Sequence, residues 1–225
     1  QAGKSLKEYP EIDLPDMVKL SDTENKLINA EMNCDKNKLK DEHLQILNNL
    51  NTEQKKAFDE IIKSVDQSLG KLIFVDGYGG TGKTYIWKAV TTRLRSEGKI
   101  VLAVASSGIA ALLLQGGKTA HSAFKIPLNL TDESTCYIAQ GSPVADLLVK
   151  TSLILWDEAP MADRNCFEAL DKSLRDILRF KHANSYKKPF GGMTVVLGGD
   201  FRQTLPVVKN GRREHIINAS IKRSY

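Results

Sequence analysis

"FVDGYGGTGKTYIWKAV", Phe74 to Val90, is the stretch that decides the fold. An apolar run reaches Asp76, breaks into Gly77, Gly79 and Gly80 within four residues, and resumes on Gly82, Lys83 and Thr84. Gly77 and Gly82–Lys83–Thr84 satisfy the phosphate-loop pattern G-x-x-x-x-G-K-[ST] in full. Glycines allow positive φ, so successive N–H groups can turn inward around a phosphate, and the helix N-terminus adds positive charge there. In such a loop Lys83 holds the β- and γ-phosphates of ATP and the Thr84 hydroxyl ligates Mg²⁺. The candidate nucleotide contacts are therefore Gly77, Gly79, Gly80, Thr81, Gly82, Lys83, Thr84 and Tyr85. A Gly-rich turn that happens to contain Lys-Thr is the plainer alternative. The context favours the nucleotide: Lys71 to Val75 reads as a buried strand and Tyr85 to Arg95 as a helix.

Working outward, the strand–helix alternation continues. Asn51-Thr52-Glu53 opens a helix in which Phe58, Ile61, Ile62, Val65 and Leu69 recur at helical spacing, ended by Gly70. Lys99 to Ala105, Ser152 to Trp156 and Met193 to Leu197 read as further strands. Ser107–Gln115 and Ala162–Phe180 read as helices. Near-continuous apolar strands alternating with helices specify a parallel sheet covered on both faces. The expected fold is α/β, a RecA-like P-loop NTPase domain over residues 43–225. Residues 1–42, with Pro10 and Pro15 near the front, read as a peripheral extension carrying one helix near Glu24–Met32.

Composition sets bounds on the function. The 225 residues suffice for a substantial core, and 41% hydrophobic with 26% charged residues is ordinary for a globular protein. No apolar run approaches the roughly 20 residues of a membrane span, so no membrane partner is expected. Cys34, Cys136 and Cys166 lie far apart, which fits reduced intracellular thiols better than a disulfide framework or a zinc site. The opening Gln1 suggests a fragment or a processed product. The net charge of +5 is unevenly spread. Residues 175–225 carry eleven basic and three acidic residues, either an electrostatic footprint for nucleic acid or a solvated face.

Two later stretches carry candidate chemistry. "SLILWDEAPM" delivers Asp157 and Glu158 to the carboxyl end of a strand, where open α/β sheets bind ligands. There Asp157 would hold Mg²⁺ and Glu158 would serve as general base for the attacking water, a role that a kinase does not need. "VVLGGDFRQTLPVV" repeats the arrangement: Gly198 and Gly199 admit a close neighbour, and Asp200, Arg202 and Gln203 follow. Gln203 can bond the γ-phosphate or orient water. Upstream, Gln54 can read an adenine edge by donating and accepting at once, although exposed helical glutamines are common.

The fifth stretch, "ASSGIAALLLQGGKTAHSAFKIP", has no acid–base pair. Ser106, Ser107 and the amides of a short helix suit a phosphodiester backbone, and Phe124 suits stacking on a base. His121 and Phe124 are equally ordinary structural residues.

In order and spacing, these stretches resemble the petite-integration-frequency (PIF) DNA helicases, of superfamily one and its RecD-like branch. "WDEAPM", "GGDFRQTLPVV" and "ASSGIAALLLQGGKTAHSAFKIP" look most like the plant and Helitron-encoded forms. The resemblance covers about Leu50 to Val208 and implies a five-prime to three-prime ATP-dependent helicase. It matches Gln54 to the adenine-reading glutamine and Gly82–Thr84 to motif I. Asp157 and Glu158 match motif II, and Gln203 the γ-phosphate sensor. Ser107, Gly108, His121 and Phe124 fall in segments that contact single-stranded DNA. The implied partners are single-stranded DNA and forked or tailed duplexes, with a second RecA-like domain that supplies a further arginine. No motif of that domain precedes Tyr225, so the chain alone is expected to bind Mg·ATP without translocating. A nucleotide-switched single-strand-binding module is the alternative reading.

Overall fold

The computed structural model describes residues 25–181, 184–208 and 211–224. The expectations placed on residues 1–24 lie outside the described residues.

Five parallel strands form one sheet in the order β1-β5-β4-β2-β3. They are β1 (Leu72–Asp76), β2 (Ile100–Ala105), β3 (Lys118–Thr119), β4 (Thr151–Asp157) and β5 (Val195–Gly199). Four match the strands expected from the sequence. The two-residue β3 is too short to leave an apolar pattern.

Strand alternation sends the apolar residues to two opposite faces. Leu153 and Leu155 of β4 and Val196 of β5 join Phe58, Ile61, Trp87 and Val90 on one face. Ile154, Trp156, Val195 and Leu197 join Phe124, Phe167, Leu170 and Leu174 on the other.

The first face is covered by α2 (Lys36–Leu47), α3 (Thr52–Asp66) and α4 (Lys83–Ser96). The second carries α7 (Pro143–Lys150) and α8 (Arg164–Ile177), with α1 (Lys26–Met32) contributing Ile28. The short helices α5 (Gly108–Leu112) and α6 (Ala120–Phe124) flank β3, and α9 (Arg213–Ala219) follows the sheet. Among the described residues no helix is long and apolar enough to cross a membrane.

In its described part, residues 25–42, the extension expected to be peripheral is packed on the domain. Ile28 and Leu39 are buried. Arg95, itself buried, pairs with Glu31 at 3.2 Å and donates to the carbonyls of Gln115 and Val101. A buried charge is costly without partners, and Arg95 is supplied from α1 and from the sheet at once. The charged, alternating sequence of this region conceals that anchoring.

Candidate functional site

The loop between β1 and α4 is open to ligand because its donors are unspent. Gly77 N–H donates to Gly199 O at 3.2 Å, joining the loop base to the end of β5. Gly82 takes φ 86°, a left-handed conformation that costs glycine little, and α4 starts at the next residue. Among the described residues, the amides of Gly79, Gly80, Gly82, Lys83 and Thr84 donate to no acceptor. They cluster at the N-terminus of a 14-residue helix, an arrangement suited to an anion. Lys83 folds back onto the loop, its ammonium donating to Gly77 O and, at 3.2 Å, to Tyr78 O. Thr81 caps Tyr78 O at 2.8 Å. The Thr84 side chain is exposed.

Tyr85, expected at the nucleotide, is directed elsewhere. Its hydroxyl donates to Ile46 O of α2 at 3.4 Å, and its N–H is taken by Gly82 O. It braces the helix from behind the loop.

Gln54 sits across from Gly82. Its side-chain carbonyl accepts from Asn51 N–H at 3.1 Å, completing the cap of α3, and its Nε2 donates to Thr81 O at 3.2 Å. One N–H and one lone pair of the amide remain, which is what reading an adenine edge requires. A cleft of about 760 Å³ opens at this side of the loop, lined by Gln54, Gly77, Lys83, Asp200, Phe201 and Arg202.

The carboxylates converge from β4 and β5. Asp157 is 7% exposed and accepts Glu158 N–H at 3.0 Å, and Asp200 is also buried. Glu158 takes φ 52°, a conformation that strains a non-glycine residue and aims it out of the strand line. Burial pushes the Glu158 carboxyl above its ordinary range, as do the neighbouring Asp157 and Asp200, while Lys83 acts against them. Such a perturbed carboxylate suits a general base.

The loop after β5 lies against the phosphate loop. Gln203 donates to Asp200 at 3.2 Å and stands close to Gly79. Arg202 donates to the Tyr78 hydroxyl, with its guanidinium 4.4 Å from that ring's centre. Tyr78 was not singled out by the sequence; an aromatic at a variable position of a Gly-rich loop is the only signal. The close neighbours expected of Gly198 and Gly199 are Trp87 of α4 and Pro160, which a Cβ at either position would meet at 2.2 Å.

The segment from Ser106 to Phe124 departs from expectation. Phe124 is 0% exposed and tilts against Trp156 in the core, so it offers no face to a base. Ser106 Oγ accepts the Trp156 indole N–H at 2.9 Å, and Ser107 Oγ accepts Ala110 N–H at 3.2 Å as the cap of α5. Each oxygen accepts one bond within the fold, and among the described residues each O–H still has no acceptor. His121 is half-buried beside the Cys166 thiol at 3.8 Å, and burial lowers its pKa. Gly108 remains exposed, with open space above it.

For Mg²⁺, the chemistry of the donors fits. Asp157 and Thr84 are hard oxygen donors, and this cation uses one or two carboxylates together with substrate phosphates. Among the described residues no group of three or more His, Cys, Asp or Glu forms a dedicated cage.

Comparison with known proteins agrees with this geometry. The chain is 32% identical over 166 residues to ATP-dependent DNA helicase PIF4 of Trypanosoma brucei brucei, covering 72% of this chain and 19% of the relative. It is 31% identical over 144 residues to human ATP-dependent DNA helicase PIF1, covering 64% of this chain and 21% of that protein. It thus spans about a fifth of the length of these curated relatives. Among solved structures, the Bacteroides Pif1 helicase in complex with ADP-AlF3 and ssDNA matches with a TM-score of 0.61 at 28% identity. That match covers 78% of this chain and 38% of the other. A structure of DNA unwinding at forked dsDNA by two coordinating Pif1 helicases matches at 0.59 and 30% identity, over 75% of this chain and 38% of the other. The family model described as PIF1-like helicase matches residues 49–225, and the chain belongs to that family.

Proposed function

We propose that the chain is the nucleotide-binding first motor lobe of an ATP-dependent DNA helicase that acts on single-stranded DNA and on forked or tailed duplexes. One observation carries the reading: unpaired loop amides and Lys83 meet Asp157, Glu158 and Asp200 at the carboxyl edge of a parallel sheet. In the full protein a second RecA-like domain closes over this edge and supplies an arginine. The finer placement, in the RecD-like branch nearest plant and Helitron-encoded members, rests on "WDEAPM" and "GGDFRQTLPVV".

The chain's own groups divide the work. The free amides receive the phosphate oxygens, and Lys83 exchanges the Gly77 and Tyr78 carbonyls for the β- and γ-phosphates. Asp157 and Thr84 would hold Mg²⁺, which would supply positive charge against the phosphates. Glu158 takes the proton of the attacking water, burial and the neighbouring Asp157 making its carboxylate a stronger proton acceptor. Gln203, hinged on Asp200 beside Gly79, responds to the γ-phosphate. Gln54 reads the adenine with its remaining donor and acceptor.

The test is ATP turnover with and without single-stranded DNA, measured on this chain and on a parent polypeptide carrying the downstream lobe. The expected result is Mg-dependent ATP binding by both, with DNA-stimulated turnover and unwinding only by the longer chain. Binding without turnover in the longer chain would favour a nucleotide-switched single-strand-binding module.

A further inference from the structure

The basic C-terminal stretch divides between two ends of the sheet: Arg202 and Lys222 line the nucleotide cleft, whereas Arg175, Arg179, Lys187 and Lys188 do not. Residues 178–181 and 184–192 lie between the end of α8 and the start of β5, at the opposite end of the sheet. The length of β5 alone separates the two edges by roughly 16 Å.

This pole presents two exposed rings. Phe180 is 83% exposed and Tyr186 62% exposed. The turns that bear them, Leu178–Phe180 and Ser185–Lys187, touch one another. Each ring carries a cation on one face: the Arg179 guanidinium 4.7 Å from the centre of Phe180, and the Lys187 ammonium 5.4 Å from that of Tyr186. The opposite face of each ring is open to a second flat group.

The display is held in place. Arg175 pairs with Asp171 at 2.7 Å and donates to Tyr186 O at 2.7 Å. Ser185, buried, donates to Arg175 O at 3.1 Å. Asn184 and Phe190 both take positive φ, 60° and 50°, conformations that non-glycine residues adopt at a cost. A loop that exists only to connect α8 with β5 requires none of this. The local charge is unbalanced as well. Arg175 and Arg179 are answered by Asp171 and Asp176, whereas Lys187 and Lys188 have no acidic partner among the described residues.

We propose that Phe180, Tyr186, Lys187 and Lys188 form a second contact for single-stranded nucleic acid, on the face of the lobe opposite the nucleotide. Stacking on exposed rings combined with unpaired ammonium groups matches bases and phosphates together. An acidic peptide would answer the charge and leave both rings unused. This goes beyond the motor reading and does not depend on nucleotide.

The experiment is nucleotide-free binding of a labelled oligothymidylate to the full chain, followed by anisotropy. Phe180→Ala with Tyr186→Ala should weaken binding at least about tenfold, the loss expected on removing base-stacking rings, with ATP binding unchanged. Lys187→Ala with Lys188→Ala should reduce the slope of log affinity against log salt by about 0.7 for each phosphate no longer neutralised. Photocrosslinking of a halouracil strand to the unaltered chain gives a second measurement, expected to label Phe180 or Tyr186. Unchanged affinity and slope in both variants would overturn the proposal. So would crosslinks confined to residues 106–124 and 200–208, or equal displacement by polyglutamate. Loss of ATP turnover in the parent chain would instead bear on the motor reading alone.

Discussion

The phosphate loop, residues 77–84, and the segment from Ser106 to Phe124 look alike as sequence, both rich in glycine, hydroxyls and one aromatic. In the fold they differ in how much of that chemistry is left over. The first leaves five amides and the Thr84 hydroxyl unspent, beside a cleft that Gly77 and Lys83 line. The second encloses Phe124 in the core and spends one lone pair each of Ser106 and Ser107 on Trp156 and the cap of α5. Among the described residues it keeps only their O–H groups and the amides of Ser107, Gly108 and Ile109 unspent. What marks a binding site is polar capacity that the fold has not used, and residue type alone does not report it.

The largest effect that can test this contrast is at Lys83. Lys83→Ala should abolish nucleotide binding detectable by titration while the thermal melt stays close to that of the unaltered chain. Unaltered affinity would break the contrast on its functional side. Next comes Glu158→Gln in a turnover-competent parent, expected to retain Mg·ATP binding and lose about 10²–10⁴-fold in rate, because an amide accepts no proton. The raised pKa gives this reading a pH signature. As pH falls through that value Glu158 is protonated and the base is lost, so turnover should decline nearer neutrality than for an ordinary carboxylate. A pH–rate profile whose acid limb lies in the ordinary carboxylate range would assign the base elsewhere.

On the structural side, Phe124→Ala should cost about 3–5 kcal/mol in denaturant unfolding, as for other core phenylalanines. Phe124→Leu should keep both the fold and the affinity for single-stranded DNA. A folded Phe124→Leu variant that no longer binds the strand would restore a stacking role. The smallest expected effect is that of Ser107→Ala, about 1 kcal/mol from loss of a helix cap, with DNA affinity little changed.

Much of the fold was legible because buried parallel strands write apolar runs: four of the five described strands lie within two residues of the expected positions. The nucleotide loop was legible for a related reason, since a backbone that must wrap an anion demands glycine at fixed places. Strand order was not, because β5 enters between β1 and β4 through packing that no local pattern encodes. Nor was the Arg95–Glu31 pair, whose partners are far apart in the chain. Phe124 illustrates the same limit, for nothing in a sequence distinguishes a ring that is offered from one that is enclosed.

The place of β5 also has a consequence for how the protein is made. β1 carries the phosphate loop, yet its partner among the described residues is β5, with Leu72 facing Val195. During synthesis the loop emerges more than a hundred residues before the strand that fixes its base. Pairing across so long a stretch is entropically slow. A ribosome-bound chain halted before residue 195 would therefore hold an intact phosphate-loop motif and no assembled nucleotide pocket. Nucleotide can stabilise this lobe only after β5 is inserted, so ATP would act on the nascent protein as a late proofreader of the sheet rather than as an early template.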